Sequence, residues 1–178
     1  MPALETSIYN LVQSERLKLD PKARTLALDP ELVDVARKRS AQMAKANSFS
    51  SGSDPHVSAT LLMNQDAKFQ GLVGENVAAQ HYTADSGIEV EAFAKRFVDG
   101  WLASKPHQEN LAFAEYDRTG VGAAVNGDTV YVTQLFTTDL GLGAAPSPKV
   151  EPMPSPQRAK DDAQPPLRGA IVPSPPPH

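Results

Sequence analysis

The first twenty residues place apolar side chains at Leu4, Ile8, Leu11, Val12 and Leu17, close to helical spacing, and the run stops at Leu19-Asp20-Pro21. A second helix is predicted from Asp29 as N-cap and Pro30 at the first helical position, with Leu32, Ala36 and Met43 marking one face. It should end near Asn47, in the polar stretch NSFSSGSDP. A third helical run, VSATLLMNQDAKF, follows Asp54-Pro55. The clearest helix spans about Gly87 to Ser104. Ser86 and Glu89 read there as a capping box, and Phe93, Phe97 and Trp101 recur every four residues beside Ala94, Val98 and Leu102. Such an aromatic stripe reads as core.

Beyond Tyr116 the period changes from helical to alternating. Val121, Ala123 and Val125 alternate with small residues, Asn126-Gly127 supplies a two-residue turn, and Val130, Val132, Gln134 and Phe136 alternate with their neighbours. The pattern predicts an antiparallel hairpin. Helices first and a hairpin last give an α+β fold rather than a doubly wound parallel sheet. From Ala144 to His178 lie 11 of the 16 prolines and no aromatic residue. A segment so poor in apolar area and backbone donors is expected to be a disordered, locally polyproline II tail, available to a proline-reading partner. The folded domain is thus expected over residues 3–143, with residues 144–178 as the tail.

Charge and composition narrow the function classes. A net charge of −4, with no basic cluster, argues against nucleic acid as a partner. The absence of cysteine excludes disulfides and thiolate metal sites. The N-terminal stretch MPALETSIYNLVQSERLKLD lacks the basic start and apolar run of a secretory signal, and no stretch approaches the length of a membrane span.

Phosphate-loop, H-E-x-x-H and G-x-S-x-G signatures are missing. What remains is a scattered polar set: Ser50, Ser51, His56, Glu75, Asn76, His81, Ser104, His107 and Asn110. Glu75 stands out because it interrupts the apolar run Leu72-Val73-Gly74-Glu75-Asn76-Val77-Ala78-Ala79. A carboxylate there needs a specific partner. A histidine is the natural candidate, and such a pair can bind a divalent ion or move a proton. The alternative is a structural carboxylate tied to backbone amides. His81 reads as surface, and His178 belongs to the tail.

The order of motifs resembles the CAP superfamily, the SCP-like extracellular domains related to cysteine-rich secretory, antigen five and pathogenesis-related proteins. The pieces that carry the resemblance are Asn10–Arg16, Leu28-Asp29-Pro30-Glu31-Leu32, Gly74-Glu75-Asn76-Val77-Ala78, Trp101 through Leu111 in WLASKPHQENL, Tyr116–Gly122 and Tyr131–Phe136. The resemblance implies an α-β-α sandwich with a central antiparallel sheet and a shallow cavity. In the family that cavity is lined by two histidines and two acidic residues, with zinc bound in some members. Glu75 matches the G-E-N glutamate and His107 the second histidine. Ser51 stands where the first histidine belongs, and Ser104 takes the second acidic place. The resemblance therefore implies a ligand cavity of Ser51, Glu75, Ser104 and His107. No cofactor is expected beyond weak binding of a divalent metal such as zinc, with Glu75, His107 and His56 as its ligands. Serine hydroxyls are poor replacements for imidazole and carboxylate. The expected role is a secreted, periplasmic or cell-envelope, non-enzymatic binding module for a small hydrophobic ligand, lipid, glycan or protein. The alternative is a protease- or esterase-type hydrolase with Ser51 as nucleophile, His107 as base and Glu75 as orienting acid.

Overall fold

The computed structural model describes residues 1–49, 57–65, 69, 71–83 and 87–138. The proline-rich segment 144–178, Ser51, His56 and the predicted cap Ser86 lie outside them. The elements are α1 (Pro2–Leu19), β1 (Ala27–Leu28), α2 (Pro30–Ala46), α3 (Val57–Gln65), β2 (Val73–His81), α4 (Val90–Ala103), α5 (Lys105–Ala112), β3 (Arg118–Asn126) and β4 (Thr129–Thr137). The four strands form one sheet in the order β1-β3-β4-β2. Pairing is antiparallel across β3, β4 and β2, while the short β1 joins β3 in parallel, Ala27 opposite Arg118.

Two helical layers bury the two faces. On one, Leu4, Ile8 and Val12 of α1, the Phe93-Phe97-Trp101 stripe of α4 and Leu111 of α5 close over Val121, Val130, Val132 and Phe136. On the other, Leu32, Val35 and Ala36 of α2 and Leu62 of α3 pack on Leu135, and Met43 packs on Tyr131. The chain is thus an α+β, three-layer α-β-α sandwich. Helix α2 lies on the backbone of β3 itself. A Cβ at Gly120 would run into the backbone at Leu32–Val33, and one at Gly122 into Ala36–Arg37. Absence of a side chain at these two positions is what lets the helix sit so low.

Local signals explain most boundaries. Asp29 caps α2 as expected, its carboxylate accepting from the amides of Glu31 (2.9 Å) and Leu32 (3.4 Å), and the helix ends at Asn47 in the left-handed region, φ 48°. Three readings need correction. Helix α4 starts at Val90, where Glu89 caps the amide of Ala92 with its own carboxylate at 2.9 Å. The hairpin turn falls one residue later than predicted, because Asn126 pairs with Thr129; Gly127, φ 58°, and Asp128 make the loop. Leu17 is exposed, and the α1 side chain buried at that end is Arg16, whose guanidinium donates to the carbonyls of Leu111 (2.7 Å), Phe113, Arg24 and Tyr116 (each 3.2 Å). Those four carbonyls tie α1 to the loops that follow it and α5, a use of arginine that apolar periodicity does not register.

Candidate functional site at the β2 edge

Among the described residues strand β2 pairs with β4 alone, so its outer edge carries backbone groups without a strand partner. Helices α4 and α5 meet that need with side chains. Trp101 Nε1 donates to the Val77 carbonyl at 3.3 Å, and Asn110 Nδ2 donates to the Glu75 carbonyl at 3.0 Å. Asn110 also reaches Asn76 Oδ1 (2.9 Å), while Asn76 Nδ2 donates to the His107 carbonyl (3.1 Å). The G-E-N segment and the KPHQEN segment are therefore held together by amide side chains and backbone. KPHQENLA, beyond the predicted helix end at Ser104, is itself a helix, α5, and Asn110 anchors it to the strand.

Glu75 and Asn76 are adjacent on the strand and so face opposite sides of the sheet. Asn76 is buried toward α5. Glu75 turns toward α2 and α3, where Arg39 Nε lies 3.3 Å from Oε1 and Ser58 Oγ donates to the same oxygen at 2.6 Å. Arg39 also donates through Nη2 to the carbonyl of Phe49 (3.3 Å). Its side chain is only 6% exposed, whereas that of Glu75 is 27% exposed. Among the described residues both donors converge on Oε1, and no hydrogen bond joins Glu75 to the His107 ring. The expected histidine partner is thus replaced by a buried guanidinium.

His107 is half-buried, and its pKa is lowered because burial disfavours the imidazolium. Ser104 links α4 to α5, its carbonyl accepting from Gln108 N at 2.8 Å while its hydroxyl makes no capping bond. His81 is exposed at the far end of β2, with Nδ1 2.8 Å from Thr129 Oγ1 and 3.5 Å from Asp128.

Arg39 and Ser58 escape motif reasoning, yet α2 carries a signal for the first. Leu32, Val35, Ala36, Arg39, Ser40 and Met43 form one buried helical stripe, so an arginine sits where the period demands an apolar residue. A cation in such a stripe requires a carboxylate opposite it.

That cation also decides what the site can hold. Glu75 is already neutralised by Arg39, and a divalent ion on the same carboxylate would face the guanidinium at short range. Ser104 adds only a hydroxyl, a poor zinc ligand. Among the described residues no three histidine, aspartate or glutamate side chains gather as a metal cluster. The described members of the expected ligand set, Glu75 and His107, do not fit a zinc centre.

With the edge, its amide clamp and the G-E-N strand in place, the chain can be set against known proteins. The model of the cysteine-rich secretory protein family, CAP, matches residues 20–136. The chain belongs to the CAP family. No curated protein matches it. Among solved structures, this CAP domain is similar to an outer surface protein from Borrelia burgdorferi, with 22% identity, a TM-score of 0.59, and coverage of 73% of this chain and 88% of that one. It is also similar to an extracellular protein containing an SCP domain from Bacillus anthracis, with 28% identity and a TM-score of 0.57, covering 76% of this chain and 40% of that one. For a cysteine-rich secretory protein from Staphylococcus aureus the values are 17%, 0.56, 78% and 39%. The match thus spans about two fifths of the Bacillus and Staphylococcus chains. No helix among the described residues is long and apolar enough to cross a membrane.

Proposed function

We propose that this CAP domain is an extracytoplasmic, non-enzymatic binding module whose ligand sits at the β2 edge, around Glu75, Ser104 and His107. The observation that supports it is the lopsided Arg39–Glu75 pair. A nearly dry guanidinium and Ser58 fix one carboxylate oxygen from within, and among the described residues Oε2 accepts no hydrogen bond, so it stands as a positioned acceptor. The His107 ring is neutral at pH 7, since its pKa lies below the ordinary value. Such a site favours a small ligand, or a side chain of a protein partner, that offers a hydrogen-bond donor on an apolar body. A hydrolase would need Glu75 to orient His107, and Arg39 already engages that carboxylate.

The test is a panel of small alcohols, amines and carboxylates titrated into the isotope-labelled chain, with ester and peptide probes assayed in parallel. Expected are saturable shifts at the Glu75, Asn76 and His107 amides with donor-bearing compounds, abolished in Glu75→Gln and retained in Ser51→Ala. Probe hydrolysis above buffer level that His107→Ala removes would replace this reading with the catalytic one.

A further inference from the structure

At the opposite edge of the sheet a cavity lies between α1 and α2, beside β1 and β3. Its volume is about 240 Å³, and Tyr9, Leu28, Val33 and Val121 give it apolar walls, with Glu5 and Arg37 at one side. An apolar cavity of about 150 Å³ already suffices for a benzene-sized molecule. Leu28, on the two-residue strand β1, is 54% exposed, so an uncovered leucine forms part of the wall. The polar side is built rather than incidental. The side chain of Glu5 is 8% exposed, and its oxygens are filled by Arg37 Nε (3.0 and 3.2 Å), Arg37 Nη2 and the Ala123 amide (3.0 Å). Arg37 is by contrast 49% exposed, and among the described residues its Nη1 has no acceptor.

We propose that this α1–α2 cavity is a second ligand site, for a small neutral molecule with an apolar body and one carbonyl-type acceptor. Valence sets the chemistry. Glu5 is spent on Arg37 and the Ala123 amide, so a cation would find only the neutral oxygens of Thr6 and Asn10 in the lining and no free carboxylate. Arg37 keeps N–H donors to give, yet its charge is cancelled at contact distance by Glu5, and Asp34 adds negative charge nearby. A neutral acceptor therefore gains the hydrogen bond without the desolvation that an anion would require. Tyr9 does not compete for that acceptor, because its hydroxyl donates to the Leu26 carbonyl at 2.9 Å. The site is independent of the β2 edge, and neither needs the other to be occupied.

The experiment uses three compounds of one shape, cyclohexyl methyl ketone, cyclohexanecarboxylate and cyclohexylmethylammonium, titrated into the full chain while the amides of Tyr9, Leu28 and Val121 are followed by NMR. The ketone is expected to give saturable shifts confined to this edge, with both ions about tenfold weaker or silent. Leu28→Asn, at an exposed position that the fold tolerates, should weaken the ketone about tenfold through lost apolar contact. Val33→Phe should fill the space and abolish binding. Tighter binding of either ion, ketone shifts that do not saturate, or affinity unchanged in Leu28→Asn would overturn the assignment.

Discussion

Helix α2 sends two arginines two residues apart to opposite edges of the sheet, and the resulting ion pairs are mirror images in burial. At the β2 edge the guanidinium of Arg39 is dry and the carboxylate of Glu75 is the more exposed partner. At the β1 edge the carboxylate of Glu5 is dry and the guanidinium of Arg37 faces outward. Both pairs are formally neutral, so net charge does not distinguish them. The partner left at the surface does. An outward carboxylate offers acceptors and an outward guanidinium offers donors, and one helix therefore presents two edges that read ligands of opposite hydrogen-bonding sense.

The largest effects should follow from removing the exposed partner and stranding the buried one. Among the described residues, Glu75→Ala leaves Arg39 with only the Phe49 carbonyl, a loss of about 3 kcal/mol or more. Arg39→Met leaves Glu75 hydrated and still bonded to Ser58, at about 1 kcal/mol. At the other edge the order reverses. Arg37→Met strands Glu5 and should exceed Glu5→Gln, which leaves a half-exposed guanidinium in water and an oxygen for the Ala123 amide. Urea unfolding of the four variants measures the crossing directly. If Arg39→Met proved as costly as Glu75→Ala, the mirror relation would be lost.

The two edges are unequally legible in sequence. Glu75 declares itself by breaking an apolar run, and the order of G-E-N and KPHQEN points to the family and to the sandwich. Its partner is not readable, because a carboxylate in a strand carries no marker of which helix will face it; only the arginine in the buried stripe of α2 hints at the answer. Glu5 and Arg37 give less still. Glu5 falls beside Leu4 at the start of an amphipathic helix, where a glutamate ordinarily faces water. Its burial arises from tertiary placement of α1 over the Ala123 amide. The helices and the hairpin rest on local periodicity and are readable. The α5 helix, whose polar face is taken up by the strand edge rather than by solvent, is not.

A smaller effect tests what holds the β2 edge together. Asn110 satisfies the outward carbonyl of Glu75 and bridges to Asn76, so Asn110→Ala leaves a carbonyl at the strand edge and loosens α5. The expected loss is about 2 kcal/mol, with faster hydrogen exchange confined to α5 and β2. Amides of α1 and β1 should keep their relative protection. Uniform acceleration across the domain would mean that the edge is no separate unit, and that its geometry belongs to the whole core.

The smallest effect is on pH dependence, and it bears on only one edge. Burial lowers the pKa of His107 in the folded chain, so the unfolded chain takes up the proton first as pH falls. Where the unfolded state binds more protons, stability rises with pH. His107 therefore contributes a loss of stability that begins as pH drops through its ordinary value, about 6.5, and stops below its lowered folded value. His107→Gln removes that slope. The difference in melting temperature between wild type and His107→Gln should change between pH 7 and pH 5, in the sense that the variant loses less. No histidine lines the Glu5–Arg37 cavity, so Arg37→Met should lower the melting temperature without removing the His107 slope. A wild-type slope that survives in His107→Gln would place the titrating group elsewhere and remove the histidine from the β2-edge site's account of pH.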